Sequence, residues 1–145
     1  MGKESLYCQE GGFSEYSYKT IGVITDGNVT GKVIEPYDSE NHQSLPLYSN
    51  TSKIYFRKDT NTGRITQMRI YVDRKAAFDI EWGHEHGSFH IGDVHVHVWH
   101  KNKKGKWVGR GKGMYDARPM TADEKVKYGG LIKKADPLQD SKKMN

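Results

Sequence analysis

Residues 64–82, RITQMRIYVDRKAAFDIEW, and residues 93–99, DVHVHVW, alternate apolar and polar side chains over three short stretches. Because successive side chains of a strand point to opposite faces, each stretch predicts a β-strand with one apolar face and one polar face. If the three strands pair as neighbours, their apolar sets form one core face. That face gathers Met68, Ile70, Val72, Phe78, Ile80, Trp82, Val94, Val96 and Val98.

The opposite face of these three strands combines acids, bases, a cation and rings. This inventory is richer than a solvated sheet face usually carries, so it is the first candidate for a functional site. Its members are Gln67, Arg69, Tyr71, Asp79, Glu81, His95, His97 and Trp99.

The rest of the chain predicts an α+β fold of one domain, a mainly antiparallel sheet of five or six strands with a short C-terminal helix. Asp26-Gly27 indicates one hairpin, and Gly63 suits the turn between KIYFR (53–57) and RITQMRIYV (64–72). Thr121 and Glu124 have capping-box spacing, so a helix is expected from Ala122, with Gly129-Gly130 interrupting or ending it. The predicted organisation is a loosely ordered segment 1–17, a domain 18–135 and a frayed tail 136–145.

Composition and charge favour a soluble, cytoplasmic chain with no membrane partner. No apolar run reaches membrane-spanning length, and the single cysteine, Cys8, suits a reducing compartment. The net charge of +5 is uneven, because residues 1–50 carry three Lys/Arg and seven Asp/Glu, whereas residues 51–145 carry 20 and 11. Such a field favours nucleic acid, most simply RNA, and the acidic first half could dock a protein partner. The alternative is a lysine-rich, solvated surface.

The first functional hypothesis is a metal-independent ribonuclease. Six of the seven histidines fall in residues 84–100, and imidazoles titrate near neutrality, which suits proton transfer at His95 and His97. Asp79 or Glu81 would orient an imidazole, Arg69 would hold phosphate, and Tyr71 and Trp99 would stack bases. The basic run KNKKGKWVGRGKG (101–113) would follow the RNA backbone through Lys101, Lys103, Lys104, Lys106 and Arg110.

The second hypothesis is a metal-binding module, structural or enzymatic. Two His-x-His pairs, at 84–86 and 95–97, present imidazoles at a spacing that points both side chains of a strand the same way. His84, His86, His95 and His97 would hold a divalent transition metal such as zinc, with Asp79, Glu81 or Asp93 as oxygen donors. A third reading is a non-enzymatic interaction protein whose histidines are ordinary surface residues.

The segment that begins at residue 64 also carries a set of short motifs in a fixed order: Arg-x-Tyr, Asp-Ile-Glu, a histidine-bearing loop, His-x-His-x-Trp, and RPMTADEKVKYGGLIKKA (118–135). This order resembles small domains of Gram-positive phage and mobile-element proteins, including the tails of phage head-morphogenesis proteins. Such domains are often labelled polymorphic toxins for which ribonuclease activity is suspected, or proteins of unknown function. Two positions depart from the pattern, because Glu81 replaces an aspartate and Val94 replaces a proline. By position the resemblance points to Arg69, Tyr71, Asp79, His84, His95, His97 and Trp99.

Overall fold

Strands dominate the computed structural model, which describes residues 3–9, 12–36, 45–49, 52–59, 62–83, 94–101, 107–109 and 117–138, with the backbone alone at 3–17, 100–101 and 107–109. Ten strands and one helix are formed by these residues. They are β1 (Lys3–Gln9), β2 (Gly12–Asp26), β3 (Val29–Pro36), β4 (Ile54–Lys58), β5 (Ile65–Val72), β6 (Lys75–Glu81), β7 (His95–Val98), β8 (His100–Lys101), β9 (Trp107–Gly109), β10 (Ala117–Arg118) and α1 (Ala122–Ala135).

Eight of the strands that the structure describes form one sheet in the order β1-β2-β3-β4-β5-β6-β7-β10, and β8 pairs with β9 separately. The α+β class, the single domain and the mainly antiparallel pairing are confirmed. The predicted number of strands is wrong, because the sheet has eight strands, or seven without the two-residue β10. The sheet is also mixed, since β3 and β4 run parallel. Parallel neighbours need a crossover, which the proline-bearing connection 37–53 provides.

Helix α1 covers the apolar face of the sheet. Its Tyr128, Leu131 and Ile132 are buried in one cluster with core side chains of β3 to β7, among them Phe56 and Ile80. The capping box at Thr121 is present as predicted, because Thr121 and Glu124 each bond the other's backbone N–H. The capping box marks where α1 begins, and burial of one face of the helix against the sheet stabilises it.

Three details of the apolar face differ from the sequence prediction. The helix passes through Gly129-Gly130 and ends at Ala135, so the expected interruption is wrong. Val72 and Val98 are 56% and 43% exposed. Val72 directly precedes the left-handed pair Asp73-Arg74, where β5 turns into β6, and Val98 is the last residue of β7, opposite Phe78. The prediction missed this two-residue turn because it lacks the glycine that usually marks such turns, and Arg74 rarely adopts positive φ.

Both ends of the described chain contribute to the fold. Residues 1–17, for which loose order is expected, contribute β1 and the start of β2. Asp136, expected to begin a frayed tail, is 2% exposed. Its carboxylate accepts hydrogen bonds from Arg64 Nη2 at 2.6 Å and from Trp82 Nε1 at 3.1 Å, which fixes the end of α1 to the sheet. Residues 139–145 lie outside the described part of the chain.

Candidate functional site

Polar side chains of β5, β6 and β7 form two rows across the face opposite α1. In the strand pairing, residues of β5 stand opposite residues of β6, and these stand opposite residues of β7. Cross-strand neighbours on one face have Cβ atoms about 4.5–5.5 Å apart, so each row is a chain of contacts. The structure therefore brings together the set that alternation predicts. The first row is Gln67, Glu81 and His95, and the second is Arg69, Asp79 and His97.

This face is buried rather than open to a substrate. A solvent-facing site is what the ribonuclease hypothesis expects, yet the side chains of both rows, with Tyr71, belong to residues that are at most 8% exposed. Residues 45–49 contribute to the cover, and we call them the strap. Leu45 packs with Tyr55 and Tyr71 in a second apolar cluster on this side of the sheet. The backbone of the strap bonds the β5–β6 hairpin through Ala76 N to Leu47 O, at 2.8 Å.

Arg69 and Asp79 form a two-point ion pair inside this face. Arg69 Nε lies 2.6 Å from Asp79 Oδ1, and Nη2 lies 2.9 Å from Oδ2. Burial would lower the pKa of Arg69, but the charge of Asp79 and its hydrogen bonds outweigh burial and raise it. Nη1 donates to Leu45 O at 2.6 Å, and the guanidinium stands 4.5 Å from the centre of the Trp99 ring. Each guanidinium nitrogen thus contacts a protein group, where the sequence had suggested phosphate.

Tyr71 is likewise used inside the protein. Its hydroxyl donates to Pro46 O at 2.6 Å, and its ring meets the edge of Tyr55 with centroids 5.3 Å apart. Burial raises the pKa of Tyr71 well above its ordinary value. Base stacking, predicted for this ring, would require it to leave the strap. In this structure Arg69 and Tyr71 hold the strap onto the sheet.

Glu81, His95 and His97 form the chemically distinct part of the face. Nε2 of His95 and Nε2 of His97 each lie 3.9 Å from the same atom, Glu81 Oε1. The two imidazole rings are nearly perpendicular, at 86°, with centroids 5.1 Å apart. One nitrogen or oxygen from each of the three side chains lies within 4.8 Å of the others. Three potential ligands therefore converge on one small volume.

This convergence fits a transition metal. Zinc binds imidazole nitrogen and carboxylate oxygen at about 2.0–2.2 Å, which places two ligand atoms roughly 3.3 Å apart in a tetrahedral site. Glu81 Oε1 lies 3.9 Å from each Nε2, about 0.6 Å beyond that distance, and the ligand atoms of the three side chains lie within 4.8 Å of one another. Binding an ion would therefore require the three side chains to move closer together. Asp79 stands apart from the group, because its oxygens accept from Arg69 and Gln67.

The remaining predicted residues are less defined. Trp99 is half-buried beside Arg69, and Lys101 is described only as backbone in β8. The other predicted ligands and basic residues lie outside the described part of the chain: His84, His86, Asp93, Lys103, Lys104, Lys106 and Arg110.

Sequence reasoning placed Gln67 on the polar face without assigning it a function. Gln67 Nε2 donates to Asp79 Oδ2 at 3.1 Å and to Glu81 Oε2 at 3.2 Å. Its position on β5, opposite Glu81, was the available signal. The strap gave no comparable signal, because its hydrogen bonds to Arg69 and Tyr71 are accepted by backbone carbonyls and depend on the crossover between β3 and β4.

Comparison with family models, with curated protein sequences and with solved structures finds no match for this chain. The resemblance to phage and mobile-element domains therefore stays a prediction. Within the described residues, no helix is both long and apolar enough to cross a bilayer.

Proposed function

We propose that this protein binds one divalent first-row transition metal through Glu81, His95 and His97. The observation that carries the proposal is the shared approach of two imidazole Nε2 atoms to Glu81 Oε1, 3.9 Å each. Of the ligands considered from sequence, this group keeps His95 and His97 and selects Glu81 among the three candidate oxygen donors.

Burial supports the same assignment. The three side chains are 5% exposed or less. A buried carboxylate is stable when it is hydrogen-bonded or paired, and a divalent cation would add a positive charge beside Glu81 and bind all three groups at once. Two imidazoles with one carboxylate suit zinc or iron(II), and zinc is the practical probe.

The direct test is metal content of untagged protein. After chelator treatment, incubation with zinc and gel filtration, we expect about one zinc per chain by elemental analysis. Glu81→Gln keeps the size of the side chain but removes the charged ligand, and His95→Gln removes an imidazole. Both variants should lose most of the metal, because each leaves only two protein ligands, and two ligands hold the metal weakly.

The matched control is Glu35→Gln, which neutralises a carboxylate on β3 that is 43% exposed and paired with Lys19. This variant should retain the wild-type zinc content. Far-UV circular dichroism on every variant separates loss of metal from loss of fold. A wild type without zinc, or folded Glu81→Gln and His95→Gln variants with full zinc content, rejects the proposal.

A second proposal remains the RNA-directed ribonuclease predicted from sequence. It is favoured by the positive charge of residues 51–145, with 20 Lys/Arg against 11 Asp/Glu. In that function His95 and His97 would transfer protons without a metal. The internal contacts of Arg69 and Tyr71 reduce the support for their assigned roles in phosphate and base binding.

A further inference from the structure

Gln67 stands between the two carboxylates of the polar face. It lies opposite Glu81 across β5 and β6 and diagonal to Asp79. Its Nε2 is 3.1 Å from Asp79 Oδ2 and 3.2 Å from Glu81 Oε2. A carboxylate only accepts hydrogen bonds, so the NH₂ end of the amide, and not its oxygen, must face this pair. The chemistry of the neighbours thus fixes the orientation of the amide.

The amide is itself held in place by the ion pair behind it. Asp79 is 0% exposed, and Arg69 donates hydrogen bonds to its two oxygens at 2.6 and 2.9 Å. Arg69 is anchored in turn by Leu45 O, at 2.6 Å. The Gln67 amide is therefore held by the buried Arg69–Asp79 pair. Through its second hydrogen bond, the amide restricts the orientation of the Glu81 carboxylate.

The two oxygens of Glu81 consequently have different partners. Oε2 accepts the Gln67 hydrogen bond, whereas Oε1 faces Nε2 of both imidazoles. Outer groups that hydrogen-bond a ligand in this way set its orientation and affect metal affinity about 10–100-fold. Alternation places Gln67 on this face, but only the structure shows that its amide lies between the two carboxylates.

We infer that Gln67 is a positioning residue, which holds Glu81 so that it binds the metal through Oε1 alone. The inference rests on the proposed metal site and deepens it. Without the amide, the Glu81 carboxylate is able to rotate and engage the metal through both oxygens. Gln67 thus sets both the affinity of the site and the number of oxygen atoms that it offers.

The test compares wild type with Gln67→Leu, which keeps approximate volume and removes the donor. Zinc affinity is measured by competition with a chelating dye, and the visible spectrum of the cobalt(II) form reports coordination number. We expect zinc affinity about 10–100-fold weaker in Gln67→Leu. We also expect weaker visible absorption of cobalt, because a second Glu81 oxygen raises the coordination number.

Tyr71→Phe is the matched control. It removes one buried hydrogen bond from the same face, the 2.6 Å bond to Pro46 O, without touching Glu81. Tyr71→Phe should lose stability yet keep the wild-type zinc affinity and cobalt spectrum. A purely structural role for Gln67 would make the two variants behave alike.

The outcomes separate this inference from the proposed function. If wild type binds zinc and Gln67→Leu matches its affinity and cobalt spectrum, the positioning role is wrong and the metal site stands. Equal losses of affinity in Gln67→Leu and Tyr71→Phe would also overturn it. If wild type takes up neither zinc nor cobalt, the proposed function fails and this inference fails with it.

Discussion

The Arg69–Asp79 pair shows how much one residue can determine inside this face. Both side chains are 5% exposed or less, and they meet at 2.6 Å. Removing one partner of a buried pair leaves the other charge without compensation, which costs about 3–5 kcal/mol. Replacing both partners by apolar residues avoids that penalty, so stability is lost mainly when one charge is left without the other.

We therefore expect Asp79→Ala to lower the free energy of unfolding by about 3–5 kcal/mol, and Arg69→Met with Asp79→Leu to lower it much less. Urea denaturation in the presence of a chelator measures this without a metal contribution. Lys19→Ala is the control, because it breaks a pair at 3.2 Å whose side chains are both 43% exposed, and such pairs contribute about 0–1 kcal/mol. Similar losses for Asp79→Ala and Lys19→Ala would contradict the importance of burial.

Alternation of residues could predict which side chains share this face, but not what each one does there. Asp79 and Glu81 have the same parity and the same charge. Only the structure shows that Asp79 pairs with Arg69 whereas Glu81 approaches His95 and His97. The difference arises from pairing partners across strands, which alternation along one strand does not contain.

At the scale of an element, helix α1 illustrates where local signals succeed and fail. Thr121 and Glu124 mark its start correctly, because a capping box depends only on neighbouring residues. The Gly129-Gly130 pair misled the prediction of its end. Each glycine costs about 1 kcal/mol in a helix, but Leu131 and Ile132 are 0% exposed. Burial of the residues that follow outweighs the local penalty.

The two glycines make a matched pair of substitutions. A Cβ at Gly129 would meet nothing within 4 Å, so Gly129→Ala should raise the free energy of unfolding by about 0.5–1 kcal/mol. A Cβ at Gly130 would collide with the Asp26 carboxylate, which also pairs with Lys134 at 3.3 Å. Gly130→Ala should therefore gain nothing in thermal or urea unfolding.

Asp26→Ala provides the control for this reasoning. In that background Gly130→Ala should recover the ordinary gain from replacing a helical glycine, because the obstructing carboxylate is gone. If Gly130→Ala stabilises the wild type as much as Gly129→Ala does, the close approach of α1 to the end of β2 does not constrain this position.

The whole molecule is organised by a crossover that local patterns do not reveal. The sequence predicts local turns at Asp26-Gly27 and Gly63, but not that β4 runs parallel to β3. That crossover brings the strap across the polar face, where Arg69 and Tyr71 bind its carbonyls. An expected open face thereby becomes a second buried layer. The burial of the candidate site is a property of topology, which explains why alternation found the residues and misjudged their environment.

Charge is also a property of the whole chain, and it gives the last prediction, which belongs to the ribonuclease proposal. Replacing Lys103, Lys104 and Lys106 by Gln should reduce the dependence of single-stranded RNA binding on salt by up to about two units of slope, since each phosphate contact contributes about 0.7. The same charge change at the exposed Lys53, Lys58 and Lys75 is the control and should have a smaller effect.

RNA cleavage that persists in chelator and disappears in folded His95→Gln and His97→Gln variants would favour proton transfer over metal binding. If RNA neither binds nor is cleaved, the positive charge reflects a solvated surface, and the ribonuclease proposal is wrong.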